Sequence, residues 1–296
     1  MIPWWQGLLA IGAGTVVGPL VLGPRIARRV VAALVALATL SVPFLVAGGP
    51  ALGVTACALL CVLGPIKLVQ LGFDPVARSA SFRVWHASMP FDARQSRRVA
   101  PGLDPSTGLA LLGHTAALGL GLWVVAWAGT LDGLAAPAVR FVAGMVGVYC
   151  GTAAAAALYE VGHRLVGVEI PPLMRAPILS RSIAEFWGRR WNRPVHELLR
   201  AAFFAPLARR GWVRAGFFAA FLGSAVLHLW IVVFALGPKP ATIMAAFFVV
   251  QGLLALVEDR LRVRRWRPAA AHAWTLGTFT LSAPLFIEPF LRALGI

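Results

Sequence analysis

Long apolar runs leave this chain one way to fold. They lie near 4–24, 30–47, 50–69, 108–129, 138–158, 213–236, 241–257 and 271–291, and about 20 apolar residues are what a helix needs to cross the hydrocarbon core of a bilayer. In lipid the backbone must satisfy its own polar groups, so such runs are helices rather than open strands. Charged residues make up 13% of the chain against about a quarter in soluble proteins, which excludes an ordinary globular domain. We expect an all-α polytopic bundle of about eight transmembrane helices with cytoplasmic interfacial helices, forming a single domain over 1–296.

The connections sort by charge. Arginines crowd the first, third, fifth and seventh, the second has none, and Arg140 and Lys239 stand alone at the fourth and sixth. Basic connections face the cytoplasm, so the alternation puts both termini on the opposite side. We expect a multi-pass protein of the bacterial inner membrane. The net charge of +16 then reads as orientation and contact with anionic headgroups, not as nucleic-acid binding. Trp4, Trp5, Trp212, Trp266 and Trp274 fall near run ends, where an amphipathic ring is at home. No basic n-region precedes the first run, so no cleavable signal peptide is expected. Cys57, Cys61 and Cys150 lie inside apolar runs with no second cluster at ligand spacing; they read as packing, and no metal site is expected.

Two basic connections are too long for turns. Residues 70–107 interleave Val76, Phe82, Val84, Trp85, Met89 and Phe91 with arginines, the pattern of a partly helical segment lying on the membrane. In 159–212, Ser182 stands three before Glu185 as a capping box. Pro194 opens a second helix after Arg193. Trp187 and Trp191 share a face at i and i+4, and Arg189, Arg190 and Arg193 reach for headgroups or another anion.

Ionisable groups inside a bilayer are costly, so each is a functional candidate. His228 is foremost, because it lies inside the sixth run between LGSAVL and LWIVV with no charge nearby. An apolar setting favours neutral imidazole, the form that a general base requires; the alternative is a packing histidine bonded to a neighbouring helix. Asn192 reads from position alone as a cap or headgroup contact. Glu160 and His163, three apart, read as a structural pair. His86, His114, His196 and His272 read as solvated or interfacial, Lys67 as snorkelling, and Gln251 as a bond to another helix. The chain lacks H-E-x-x-H, a P-loop and G-x-S-x-G. Ser224 and His228, at i and i+4, point along one helix face rather than across a cleft.

SIAEFWGRRWNRPVHELLRAAFFAPL, beginning at Ser182, resembles the signature segment of the wax synthase branch of the membrane-bound O-acyltransferases (MBOAT). FLGSAVLH at 221–228 and FFVVQGLLALVE at 247–258 resemble the two spans that follow it there. The resemblance occupies a signature region of about 180–258; upstream it is loose, through hydropathy and KLVQLGF at 67–73. Ala225 and Leu229 depart from the residues often found after the serine and the histidine.

That resemblance implies an MBOAT-like fold and transfer of a fatty acyl group from acyl-CoA to the hydroxyl of a lipophilic alcohol, as in wax ester synthesis. It implies His228 and Asn192 as catalytic residues, with Trp187, Trp191, Arg189, Arg190 and Arg193 binding substrate. The donor's phosphates would meet the arginines of the fifth connection, among them Arg181 and Arg200, since guanidinium suits phosphate geometry. Acyl-CoA enters as co-substrate, no cofactor is expected, and the partners are the two substrates and membrane lipids. Two other readings stay open: the same fold acylating a sterol, terpenoid or secondary-metabolite hydroxyl, and a non-enzymatic transporter with His228 on its pathway.

Overall fold

The computed structural model describes residues 1–20, 25–46, 48–74, 76, 78–133 and 135–296, with the backbone alone given for 25–28. The ends of the first two expected spans, 21–24 and 47, lie outside them. Each apolar run is helical over nearly all of its described residues: α1 (Trp4–Leu20), α2 (Arg25–Leu45), α3 (Ala51–Gly72), α5 (Pro105–Ala128), α6 (Ala135–Leu165), α10 (Val213–Leu236), α11 (Pro238–Leu261) and, for the eighth run, α12 (Pro268–Ser282) and α13 (Pro284–Leu294). Shorter helices fill the long connections: α4 (Ala80–Ser88), α7 (Ile183–Glu185), α8 (Arg193–Leu199) and α9 (Ala205–Ala208). By length and composition α3, α5, α6, α10 and α11 can each cross a membrane, while Arg29–Leu45 is a shorter apolar helix. The protein is an all-α, multi-pass membrane protein, with one two-residue strand pair in its connections. One difference from the sequence reading is the last run, which is divided at Ala283. Pro284 disfavours helical backbone before it and has no N–H for the ladder.

Residues 1–94, 229–241 and 292–295 form one compact unit. Here α1 and α3 approach so closely that a Cβ on Gly53 would stand 2.6 Å from the Trp4 ring. Ile11, Val42, Cys57 and Cys61 form a core against which Trp4 and Trp230 pack. The segment after α3 differs from expectation. Lys67 does not snorkel: it is 5% exposed, and its Nζ donates to the Phe91 carbonyl at 2.6 Å. Phe91 and His86 are fully buried rather than interfacial. Nε2 of His86 meets Gln70 Oε1 at 3.1 Å, while Nδ1 has no hydrogen-bond partner among the described residues and faces Asp92 Oδ1 at 3.7 Å. The chain after α4 folds back on the end of α3, and the carbonyl it carries inward needs the lysine as donor.

Residues 95–228, 242–291 and 296 form the second unit. Asp104 caps α5 by accepting from Thr107 N, with Pro105 in the first turn. After α6, Val168–Glu169 (β2) pairs antiparallel with Arg97–Arg98 (β1), and the Glu169 carboxylate accepts from Arg97 at 2.6 Å and Arg164 at 3.2 Å. Gly167, at φ +74°, makes the turn into β2; a side chain there would be strained and crowd the Val99 carbonyl. The unit's remaining helices surround a cavity.

Candidate active site

The signature segment begins as its sequence demands. Ser182 Oγ accepts from Glu185 N at 2.9 Å, and Glu185 Oε2 accepts from Arg181 N at 2.9 Å, a capping box displaced by one residue on its return arm. Glu258, in α11, adds a carboxylate at the same end, accepting from Ile183 N at 2.6 Å. Beyond α7 the helix widens into a π-helical turn over Phe186–Arg190. It closes with Trp191 N donating to the Phe186 carbonyl, and its five-residue spacing puts Arg190 on Glu185 at 2.6 Å. Asn192 then adopts a left-handed backbone (φ +36°), and α8 starts beyond it with Pro194 in its first turn. Asparagine is among the few non-glycine residues at ease there. Its side chain makes no capping bond, and it is free to face the cavity.

That cavity has a volume of about 470 Å³, and His228, Asn192, Trp187 and Trp191 all stand on its wall. Nδ1 of His228 lies 2.8 Å from the Ser224 carbonyl oxygen. A carbonyl can only accept, so Nδ1 carries the proton and, in the neutral ring, Nε2 is the basic nitrogen. The ring is stacked on Phe248 with centroids 4.0 Å apart. Ser224 therefore serves His228 through its backbone, as expected for side chains on one helix face. Otherwise the wall is largely aromatic, with Phe186, Phe221, Phe247, Phe248, Phe279 and Phe286 upon it. Such a lining suits alkyl chains and excludes water.

The other expected site residues divide. Trp187 and Trp191 turn into the protein instead of the interface: their centroids are 6.4 Å apart, and Trp187 packs against Phe221, Phe247, Phe248 and Phe279. Arg189, Arg190 and Arg193 are not wall residues. Arg190 is held by Glu185 and by the carbonyls of Arg175 and Ala176, and Arg193 by the Pro172 carbonyl and Glu197. The guanidinium on the wall is that of Arg200, which makes no hydrogen bond or ion pair with a described residue.

Sequence reasoning missed two more wall residues. Half-buried His196 lies there beside Arg200, and burial, with the Arg200 charge next, holds it below the ordinary histidine value. Its spacing of four from Asn192 was the available signal, because one α-helical turn puts both at the same end of α8. Tyr149, a phenol inside an apolar run, carried a similar signal; its ring lies 6.2 Å from that of Trp191. Elsewhere, Glu160 accepts from Leu173 N and not from His163, whose Nδ1 donates to the Tyr159 carbonyl. His272 donates from Nδ1 to the Ser180 carbonyl and so ties down a turn on the cavity rim.

Comparison with known proteins bears on the same segment. Residues 170–250 match the family described as "Membrane bound O-acyl transferase family". A probable long-chain-alcohol O-fatty-acyltransferase 3 of Arabidopsis thaliana is 29% identical over 143 residues, 43% of this chain and 42% of the relative. A probable long-chain-alcohol O-fatty-acyltransferase 2 of the same plant is 32% identical over 117 residues, 37% and 34% of the two chains. The long-chain-alcohol O-fatty-acyltransferase of Simmondsia chinensis is 30% identical over 157 residues, 48% and 44%. The chain spans less than half the length of the curated relatives it matches. The resemblance to the wax synthase branch, read from residues 182–258, is borne out by these matches.

Proposed function

We propose, from a chain whose signature segment is that of the membrane-bound O-acyltransferases, that this protein moves a fatty acyl group from acyl-CoA to the hydroxyl of a lipophilic alcohol. One observation carries the reading: His228, with its basic nitrogen set by the Ser224 carbonyl, shares an aromatic-lined cavity with Asn192. The alcohol oxygen attacks the thioester carbonyl as His228 Nε2 takes its proton. Negative charge gathers on the carbonyl oxygen, toward which the Asn192 amide donates. The C–S bond then breaks, and the proton passes from His228 to the departing thiolate, leaving ester and free CoA. General-base help of this kind is worth about 10²–10⁴ in rate, and one oxyanion donor about 10²–10³. The reaction draws on no metal or organic cofactor. Acyl-CoA arrives from the side of the basic connections, which we place in the cytoplasm by the positive-inside rule. The relatives named above are plant proteins, so the bacterial inner membrane gains no support from them. The reading takes residues 1–296 as one catalytic domain.

The test uses purified wild type and His228→Ala in nanodiscs with palmitoyl-CoA and a panel of acceptors: hexadecanol, a sterol and diacylglycerol. Ester and free CoA are followed by mass spectrometry. Ester from wild type and none from the variant is the expected result, and the best acceptor defines the substrate. A folded wild type that makes no ester with any acceptor, or a variant as active as wild type, overturns the reading.

A further inference from the structure

Gln251 carries a full amide in the middle of apolar α11 and is 0% exposed. Both of its ends are used. Oε1 accepts from the indole Nε1 of Trp187 at 3.1 Å, and Nε2 donates to Ser282 Oγ at 2.8 Å. Ser282 passes its own proton to the Thr278 carbonyl at 2.8 Å. The chain of donors and acceptors leaves the amide one orientation. It joins three elements: the π-helical turn, α11 and α12. In apolar surroundings a broken link would leave a buried group unsatisfied, so the arrangement resists displacement.

The same face of α11 also reaches the histidine. Phe248, one turn before Gln251, is 2% exposed and is the ring on which His228 stacks. The Trp187 ring packs on Phe248, with centroids 5.6 Å apart. One turn and then two turns further along, Ala255 packs with Ile183 and Glu258 holds the start of α7. One helix stripe therefore carries the ring under His228, the pin on Trp187 and the cap of the segment that ends at Asn192.

We infer that Gln251 is a positioning residue for the proposed reaction, acting through Trp187 and Phe248 on the ring of His228. The inference rests on the acyltransfer reading for its catalytic consequence but not for its structural one. A π-helical turn is a rare, local departure from the α-helix, and the indole bond to Gln251 supplies the fixed point that keeps Trp187 against Phe248. Loss of that bond by substitution at Gln251 loosens the aromatic bed of His228 without removing a residue of the cavity wall.

Full-length Gln251→Leu, Trp187→Phe, Ser282→Ala and the Gln251→Leu/Trp187→Phe double variant test this in nanodiscs. The first readout needs no turnover: the rate and pH profile of His228 modification by diethyl pyrocarbonate, located by peptide mass spectrometry. We expect Gln251→Leu and Trp187→Phe each to change that rate at least threefold. Gln251→Leu should lower kcat about tenfold with KM for palmitoyl-CoA within twofold, Trp187→Phe, which also alters the cavity wall, should lower kcat at least as far, and the double variant should be no worse than the poorer single one. Ser282→Ala should show a smaller change in the same direction. If Gln251→Leu fails to fold, Trp187→Phe and Ser282→Ala decide. His228 reactivity and kcat like wild type in the folded variants overturn the inference, as does full additivity in the double variant. If wild type makes no ester, the acyltransfer reading has failed, and the His228 modification profile alone decides whether Gln251 positions that ring.

Discussion

Acidification should open the segment around His86 before it opens the rest of the unit that contains it. Burial, and next the charge of Lys67, lowers the pKa of this histidine from 6.5 to about 4. Arg94 works in the same direction, and Asp92 and Asp74 oppose it. The native form is thus the neutral ring, and the unfolded segment binds a proton more readily. Stability from this residue is complete above pH 6.5 and drains as pH falls from there toward 4. The full difference is on the order of 3 kcal/mol, and by pH 5 about 2 kcal/mol should be gone, a rise of roughly 30-fold in the open population. Asp92 does not contribute in this window. Although burial opposes it, hydrogen bonds from the Arg94 side chain and backbone hold it at about 2, so it titrates only in stronger acid. Hydrogen exchange of peptides covering 80–94 at pH 7.5 and pH 5, corrected for intrinsic exchange, measures the effect. His86→Gln keeps a donor for Gln70 and removes the titration, so its opening should not vary over this range. Equal opening of wild type at both pH values, or the same pH response in His86→Gln, would refute the reasoning.

Two further outcomes follow from contacts in the second unit. A Cβ on Gly223 would lie 2.5 Å from the Phe203 ring, so Gly223→Val should cost about 1–3 kcal/mol through overpacking and lower the midpoint of a thermal melt in detergent; an unchanged midpoint would mean that the ring yields freely. Ser224→Ala keeps the carbonyl that bonds His228, so kcat for ester formation should stay within about threefold, whereas a serine–histidine dyad working through the hydroxyl would lose on the order of 10² or more.

Hydropathy made the helices legible, because lipid enforces the relation between an apolar run and a helix. Pro284 marked the break in the last run, although the reading passed through it. The capping box at Ser182 and the helix opened by Pro194 were visible because both are local chemistry. His228 stood out because an imidazole in an apolar run has few bland explanations. The reading of Arg190 as a phosphate ligand failed to anticipate Glu185, since α-helical periodicity does not pair residues five apart and only a π-helical turn does. His86 and Lys67 looked interfacial because nothing local says that the chain will double back over them. For Trp187 the sequence showed only a face shared with Trp191, for the same reason: its partner Gln251 is 64 residues away. Asn192 was ambiguous in sequence because a cap and a cavity residue are spelled alike; its left-handed backbone and missing cap bond separate the two.

The π-helical turns have a consequence for how this segment tolerates insertion and deletion. One such turn occupies Phe186–Arg190 and a second Arg200–Phe204, so the stretch from Asn192 to Leu199 is bracketed by wide turns on both sides. A π-helical turn is in effect an α-helix holding one surplus residue, and each α-helical residue rotates the chain beyond it by about 100°. Deleting a single residue from the first turn would let it relax to ordinary helix with Asn192 and His196 kept near their present register, whereas a deletion inside α8, which holds no surplus, would rotate the chain beyond it. The segment's tolerance of a change in length is therefore concentrated at its two wide turns, and the helix between them has none to spare.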